Sequence, residues 1–188
     1  DAVTMKAETD GSEAFGNIVF VDSGAVDFDS SGSSNGDLNI NASSTNGAVG
    51  GNLSITATDH ITQNVALDIG GTTTLATGSS KNITLDNTSN DFQDAVKIIT
   101  GSSSGGNNIT LVDAGDIDLG ASIVSGTYHV TAISGDITDS GNLTITGEST
   151  FITRADGSNI ELGSSGNTFA DAVTMKAETD GSEAFGNI

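Results

Sequence analysis

The sequence predicts an all-β protein, a parallel β-helix (β-solenoid) in which short strands stack coil upon coil. Three observations predict this fold. Residues 171–188 repeat residues 1–18 letter for letter, the apolar residues fall into short alternating runs, and the 188 residues include 25 glycines but no proline. The repetition comes first, because a sequence period decides the architecture before local propensity does.

The exact copy makes positions 1–170 one full period and position 171 the start of the next. Separately selected domains accumulate substitutions, so an unchanged copy predicts a tandem array kept uniform by gene duplication. We expect residues 1–188 to form one continuous solenoid segment without a domain boundary at the seam, and the adjacent repeats of the same chain to be its partners.

A degenerate shorter repeat lies inside this period. Three pairs of segments align: 82–96 with 159–173, 109–119 with 18–28, and 137–153 with 61–77. The sub-repeats therefore run over 82–158 and over 159–188 continuing as 1–81. The longer one carries a Ser/Gly/Asn-rich insertion near residues 29–51.

The apolar runs are rich in β-branched residues and are bounded by Gly, Asn, Asp or Ser. Alternation points one set of side chains inward and the other outward, which is typical of short strands joined by tight turns. The segments FQDAVKIIT and FADAVTMKAET are interpreted as turn followed by strand. Between Asn82 and Asn159 we expect strands to begin near Ile83, Val96, Ile109, Ile117, Ile123, His129, Ile137, Leu143, Phe151 and Ile160.

A sandwich or barrel must close on itself, whereas a solenoid can continue through every period. Coils of about 20 residues, as in many three-sided β-helices, would pair in parallel at a spacing of about 4.8 Å. The absence of proline fits, because proline cannot donate to a ladder that is paired on both sides. We expect a core of Ile, Val and Leu ladders, with wider corners filled by Phe20, Phe28, Phe92, Phe151 and Phe169.

The phrases LDNTSNDFQDAV, ITLVDAGDIDLG and YHVTAISGDITDSGNLTITGESTF carry a family resemblance. Over essentially its whole length the chain resembles the β-strand repeats of large secreted bacterial adhesins of the filamentous haemagglutinin type, which are exported by two-partner secretion. Autotransporter passenger domains and other solenoids share this type of repeat pattern. The resemblance implies a right-handed parallel β-helix at the cell surface or in extracellular fibres, and it implies no ligand.

The charge balance limits the classes of partner that the chain can bind. Twenty-five acidic residues against five basic ones give a net charge of −20, which predicts repulsion of nucleic acid and of anionic membranes. The sequence has no apolar run of about 20 residues that would predict membrane insertion. The absence of cysteine suits export of an unfolded chain through a pore, where a disulfide would block passage.

Acidic side chains at alternating strand positions raise the possibility of calcium binding. The pairs are Asp116 with Asp118 and Asp27 with Asp29, joined by Asp113 or Asp22 in the preceding turn. Calcium needs about six to eight oxygen ligands, and the glycine-rich nonapeptide of calcium-binding β-rolls is absent. We therefore predict no bound cofactor, with calcium kept as the one alternative.

Several asparagines stand immediately before a strand, namely Asn82, Asn108, Asn142 and Asn159. Asparagines stacked at one turn of a solenoid can form a side-chain ladder that satisfies backbone groups at the corners. The alternative is glycosylation, because N-x-Ser/Thr sequons begin at Asn41, Asn52, Asn82, Asn87, Asn108 and Asn142.

We expect no enzymatic activity. A polysaccharide-cleaving β-helix needs a groove with paired carboxylates or a catalytic base, and His60 and His129 do not correspond in the sub-repeat alignment. The hydroxyl-bearing segments 54–56, 72–74 and 144–146 leave ice binding as a weaker alternative, although threonine is also simply a good strand former.

These observations predict a structural repeat segment of a giant extracellular adhesin or filament, a stiff rod that acts as a spacer for adhesion or cell–cell contact. The alternative is a self-assembling extracellular sheath or matrix fibre of stacked or bundled subunits. The expected outside partners are other copies in a fibre or a receptor on a host or neighbouring cell.

Overall fold

The fold was analysed in a computed structural model that describes residues 3–5, 16–29, 38–40, 47–101 and 106–178. Within these residues the chain forms 22 short strands and no helix. No helix in this part of the chain is long and apolar enough to cross a membrane. Every pairing between strands is parallel, as a solenoid requires.

The strands are two to five residues long. In chain order they are β1 (Val3–Met5), β2 (Ile18–Asp22), β3 (Val26–Asp29), β4 (Leu38–Ile40), β5 (Gly47–Val49), β6 (Leu53–Ala57), β7 (Ile61–Gln63), β8 (Leu67–Ile69), β9 (Thr73–Thr77), β10 (Ile83–Leu85), β11 (Asp91–Phe92), β12 (Val96–Thr100), β13 (Ile109–Asp113), β14 (Ile117–Leu119), β15 (Ser122–Val124), β16 (Tyr128–Ala132), β17 (Ile137–Asp139), β18 (Leu143–Ile145), β19 (Ser149–Thr153), β20 (Ile160–Glu161), β21 (Thr168–Phe169) and β22 (Val173–Ala177).

From β7 onward each coil contains three strands, so the solenoid has three faces. The first face is the nine-stranded sheet β1-β4-β3-β7-β10-β13-β16-β19-β22. The second face consists of the middle strands of the coils, β5, β8, β11, β14, β17 and β20, and its ladder is interrupted between β11 and β14. The third face consists of β2, β6, β9, β12, β15, β18 and β21. The start of β12 also pairs with the second face, because Val96 lies beside Leu119 of β14.

The register shows where each coil begins and ends. Ile109 lies beside Tyr128 and Ile83 lies beside Ile109, so these two coils span positions 109–127 and 83–108. The coil that begins at Ile18 is longer and spans positions 18–52, because Ile18 lies beside Leu53. The span 109–127 matches the predicted coil length of about 20 residues, and the span 83–108 is longer. The span 18–52 holds the extra residues of the longer sub-repeat. Most of the predicted insertion at 29–51 lies outside the described residues.

The core is a set of inward ladders. On the first face, Leu85, Leu111, Val130 and Phe151 lie side by side in register, and all four are fully buried. Tyr128 contacts Phe151 edge to face, with the ring centres 6.0 Å apart. The next contact, between Phe151 and Phe169, has the ring centres 6.2 Å apart. The predicted apolar core is therefore confirmed. Phe20, Phe28 and Phe151, however, lie within strands and not at the expected corners, and the buried Tyr128 was not singled out.

All ten strands expected between Asn82 and Asn159 are present. Seven begin at the expected residue, and β15, β16 and β19 begin one or two residues earlier. The short strand β11 was not predicted, because two residues are too few to show an alternating pattern.

The sub-repeat does not bring aligned strands to the same face. Ile83 lies on the first face and its counterpart Ile160 on the second, whereas Val96 lies on the third face and Val173 on the first. The full period behaves differently, because β22 and its copy β1 both belong to the first face. Strands one sub-repeat apart therefore lie on different faces, whereas strands one full period apart lie on the same face.

We expect Leu111→Ala to lower the free energy of unfolding by about 3 kcal/mol, because truncating a buried leucine loses apolar contact and leaves a cavity. The matched control is Thr110→Ala on the outward side of the same strand, for which a change within about 0.5 kcal/mol is expected. Urea unfolding followed by far-UV circular dichroism measures both. Equal losses for the two variants would contradict the assignment of inward and outward positions.

Candidate functional site

Asparagine ladders run along two corners of the solenoid. At the entry to the third face, Asn17 Oδ1 accepts a hydrogen bond from the Asn52 amide at 2.8 Å, and Asn52 Oδ1 accepts one from the Thr72 amide at 2.9 Å. At the entry to the first face, Asn82 Oδ1 accepts from the Asn108 amide at 3.0 Å. Each side chain thus satisfies a backbone N–H of the coil stacked on it.

The ladder at the first-face corner extends in both directions. His60 Nδ1 accepts a hydrogen bond from the Asn82 amide at 2.9 Å, so His60 occupies an asparagine position. Asn108 Oδ1 accepts from the Thr127 amide at 3.2 Å. These contacts confirm the predicted structural role of Asn82 and Asn108. Asn41 lies outside the described residues.

Aspartates perform the same task at the entry to the second face. Asp116 Oδ1 accepts from the Asp136 amide, and Asp136 Oδ1 accepts from the Asn159 amide, each at 2.7 Å. Any side chain with a short, correctly placed oxygen or ring nitrogen can fill such a position, which explains why the sequence at the corners varies among Asn, Asp and His.

Two buried asparagines hold the interior of the turns, and the sequence did not identify them. Asn90 Oδ1 accepts from the Leu67 amide at 2.9 Å, and its Nδ2 donates to the Val112 carbonyl at 3.2 Å. Asn107 Nδ2 donates to the Gly78 carbonyl at 2.6 Å. Neither residue has any exposed surface. Their Asn-rich surroundings gave no signal that separates an inward asparagine from an outward one.

The outward side of the first face carries a row of threonines. Thr62, Thr84, Thr110, His129, Thr150 and Thr174 occupy successive strands in register. The pKa of His129 is lowered, and burial is the largest cause. The nearby positive charges of Arg154 and Lys176 lower this pKa further. His129 and His60 thus lie in separate places, in the first-face row and in a corner ladder.

The second face is acidic on its outward side. Asp68 lies directly beside Asp91 in register, and further along this face the outward positions include Asp118 and Glu161. Partial burial raises the pKa of Asp68, and the neighbouring Asp91 carboxylate raises it further. A shallow groove of about 280 Å³ lies against Asp91, Asp116 and Asp118.

The third face carries two outward rows with one charged residue. The first row is Val19, Ser54, Thr74 and Lys97, and the second row is Val21, Thr56, Ala76, Ile99, Ile123, Thr144 and Thr168. The hydroxyls considered for ice binding do not form a regular array here. Thr73 is fully buried, and the outward threonines are interrupted by alanine, isoleucine and lysine, so we do not propose ice binding.

Asp27, one of the aspartates considered for calcium, is held by the protein itself. Asp27 accepts hydrogen bonds from Thr62 Oγ1 at 3.0 Å and from Asn64 Nδ2 at 2.6 Å. Asp29 is buried, so it does not share an exposed face with Asp27. In the part of the chain that the structure describes, no three Asp, Glu, His or Cys side chains converge as a metal site requires.

Asp113 is the one fully buried carboxylate among the residues considered for calcium. Its Oδ2 accepts from the Phe92 amide and its Oδ1 from the Gly115 amide, each at 2.7 Å. Burial raises the pKa of Asp113 to about 6, although the two amides act in the opposite direction. Asp22, which aligns with Asp113, makes the matching turn contact with Gly24 at 3.2 Å.

Comparison with known proteins identifies a family. The family model described as repeats of unknown function (DUF5649) matches residues 35–99 and 106–176, which together make up more than half of the chain. No curated protein and no solved structure matches the chain.

We expect Asn108→Ala to reduce the free energy of unfolding by about 1 kcal/mol, because the Thr127 amide loses its acceptor. Asn108→Asp keeps a side-chain oxygen in place and should retain most of the stability. Urea unfolding gives both values, and hydrogen exchange at the Thr127 amide reports the local effect. An aspartate variant as unstable as the alanine variant would contradict the role of Asn108 as an acceptor.

Asp113 predicts a pH dependence of stability. Its pKa is about 6 in the folded protein against an ordinary value of 3.8, so the folded state holds this proton more tightly than the unfolded chain. The stabilisation is complete below the ordinary value and is lost as the pH rises through the folded value. Thermal unfolding should therefore occur at a lower temperature at pH 7 than at pH 4.5.

The variant Asp113→Asn should make the unfolding temperature depend less on pH between 4 and 7. The control Asp156→Asn removes the same charge from an exposed turn residue and should leave the slope as it is in the parent chain. An unchanged slope in Asp113→Asn would show that another group controls the dependence.

Proposed function

This chain belongs to the family of repeats of unknown function (DUF5649), and we propose that its function is mechanical: it is a segment of a stiff, rod-like spacer within a larger extracellular adhesin or filament. Parallel hydrogen-bonded coils in series resist bending and stretching, and the stability of such a rod adds up over neighbouring coils.

The observation that carries this proposal is the pairing of the copied segment. Val173, Thr174 and Met175 of β22 lie beside Ser149, Thr150 and Phe151 of β19. The identical residues of β1, Val3, Thr4 and Met5, lie beside Leu38, Asn39 and Ile40 of β4. The same strand sequence therefore pairs on one of its edges at the end of the period, as β22, and on its opposite edge at the start of the period, as β1.

These two pairings together support a rod that continues without a break at the seam. In a chain of two joined periods, β22 of the first period is also β1 of the second. This strand would pair with β19 of the first period and with β4 of the second. The nine strands of the first face are separated by eight spacings of about 4.8 Å, so each period adds about 38 Å to the rod.

The extracellular setting is supported by the sequence. The chain resembles repeats of the filamentous haemagglutinin type, which are right-handed and exported by two-partner secretion. It has no cysteine and a net charge of −20, which keep an exported chain free of disulfides and keep crowded rods in solution. The proposed role requires no catalysis, and its outside partner is a receptor on a host or neighbouring cell.

The alternative is a sheath or matrix fibre in which separate molecules stack or bundle. The nearly uncharged third face is the observation that favours it. Boiling native fibres in detergent separates the two proposals, because a covalent array keeps its length on a gel, whereas stacked subunits migrate as short bands.

A chain extended by one further period should form a rod about 38 Å longer than the present chain with the same cross-section. Small-angle X-ray scattering measures both quantities. The control is a chain of equal length in which a flexible Gly/Ser linker separates the two periods. If the continuous chain scatters like that control, as two bodies on a tether, the rod is disproved.

A further inference from the structure

The third face differs from the acidic second face in charge. Lys97 is the only charged side chain among its eleven outward row positions, Val19, Ser54, Thr74, Lys97, Val21, Thr56, Ala76, Ile99, Ile123, Thr144 and Thr168. The outward positions of the second face include Asp68, Asp91, Asp118 and Glu161. In a chain with a net charge of −20, another acidic body can approach this face with less repulsion than it would meet at the second face.

The same face also holds most of the exposed apolar side chains. Five large apolar residues are exposed in the part of the chain that the structure describes, and four of them lie here: Val19 at 66%, Val21 at 70%, Ile99 at 47% and Ile123 at 56%. Val21, Ile99 and Ile123 belong to one row, and Ile99 lies directly beside Ile123. Thr56 and Ala76 separate Val21 from Ile99 in this row, so the adjacent pair Ile99 and Ile123 is the centre of the exposed apolar patch, and such patches mark interaction sites.

We propose that the third face binds the third face of a second copy of this chain, so that two rods lie side by side. The charge distribution favours a second copy in this orientation. Each copy exposes acidic groups on its second face and carries no carboxylate at the eleven outward positions of its third face. Geometry also selects it: both copies repeat at the same spacing of about 4.8 Å per strand, so the side chains of one row can fit between those of the other along the whole contact.

The area of the contact sets its strength. Seven strands with six spacings span about 29 Å, and the longest of them, with five residues, spans about 16 Å, which gives at most about 450 Å² on each copy. Stable complexes bury about 800 Å² on each partner. One period should therefore associate weakly. Because each period returns to the same face, two linked periods double the contact and strengthen it further through effective concentration.

The experiment is sedimentation equilibrium of the 188-residue chain across a range of NaCl concentrations. Association should increase with NaCl, since salt screens the net repulsion and leaves apolar contact intact. The double variant Ile99→Glu/Ile123→Glu should weaken the association at least about tenfold, because it places charges in an apolar contact. The matched control is Thr84→Glu/Thr110→Glu, which adds the same charge to the outward row of the first face and should weaken it much less.

Three outcomes would overturn the proposal. A chain that remains monomeric at millimolar concentration in NaCl of about 1 M, where charges are screened beyond a few ångströms, has no such contact. Equal weakening by the two double variants would mean that general charge, and not the third face, controls association. A requirement for CaCl₂ at matched ionic strength would assign the contact to the acidic second face.

The two-period chain separates this proposal from the proposed rod, on which the argument about doubled contact rests. A chain that lengthens by about 38 Å and associates at least about a hundredfold more tightly than one period supports both. One that lengthens and yet stays monomeric keeps the rod and rejects the pairing.

Discussion

Parallel pairing of each coil with the coil before and after it is the constraint on which this molecule depends. Strands of two to five residues are too short to be stable alone, since a single pair of strands is marginal in water. In the stack most strands gain partners on two sides, and their inward residues complete the ladders of their neighbours. The register in turn fixes which side chains share a row, so the distinct chemistry of the three faces follows directly from it.

The corners solve a problem that this stacking creates. Where the chain turns, its amides leave the ladder, and a backbone N–H without a partner costs free energy. Asn82, Asn108, Asp116 and Asp136 supply the missing acceptors from one coil to the next. The acidic and amide-rich composition is therefore partly a consequence of architecture, because residues that look like candidate calcium ligands or glycosylation sites in the sequence are used to hold successive turns together.

Much of the fold could be predicted because its signal is local and repeated. Alternating runs gave the ten strands between Asn82 and Asn159, and the exclusion of proline reflects strands paired on both sides. The candidate interaction surface could not be predicted in the same way. Whether Ile99 stands beside Ile123 depends on coils of unequal length, such as those over 18–52 and 109–127, and no local pattern determines these lengths. Asn90 and Asn107 were missed for a related reason, since inward and outward asparagines look alike in the sequence.

The relation between the period and the faces bears on how such a gene can change in length. Aligned strands of the half-period lie on different faces, whereas β1 and β22 lie on the same one. Unequal crossing-over by whole periods lengthens or shortens the protein and leaves every outward row in phase. Recombination between the two halves would rotate everything beyond the junction about the axis and cut each row in two. Selection for continuous faces would therefore preserve the whole period as the unit that is duplicated or deleted, and it would allow the two halves of the period to diverge.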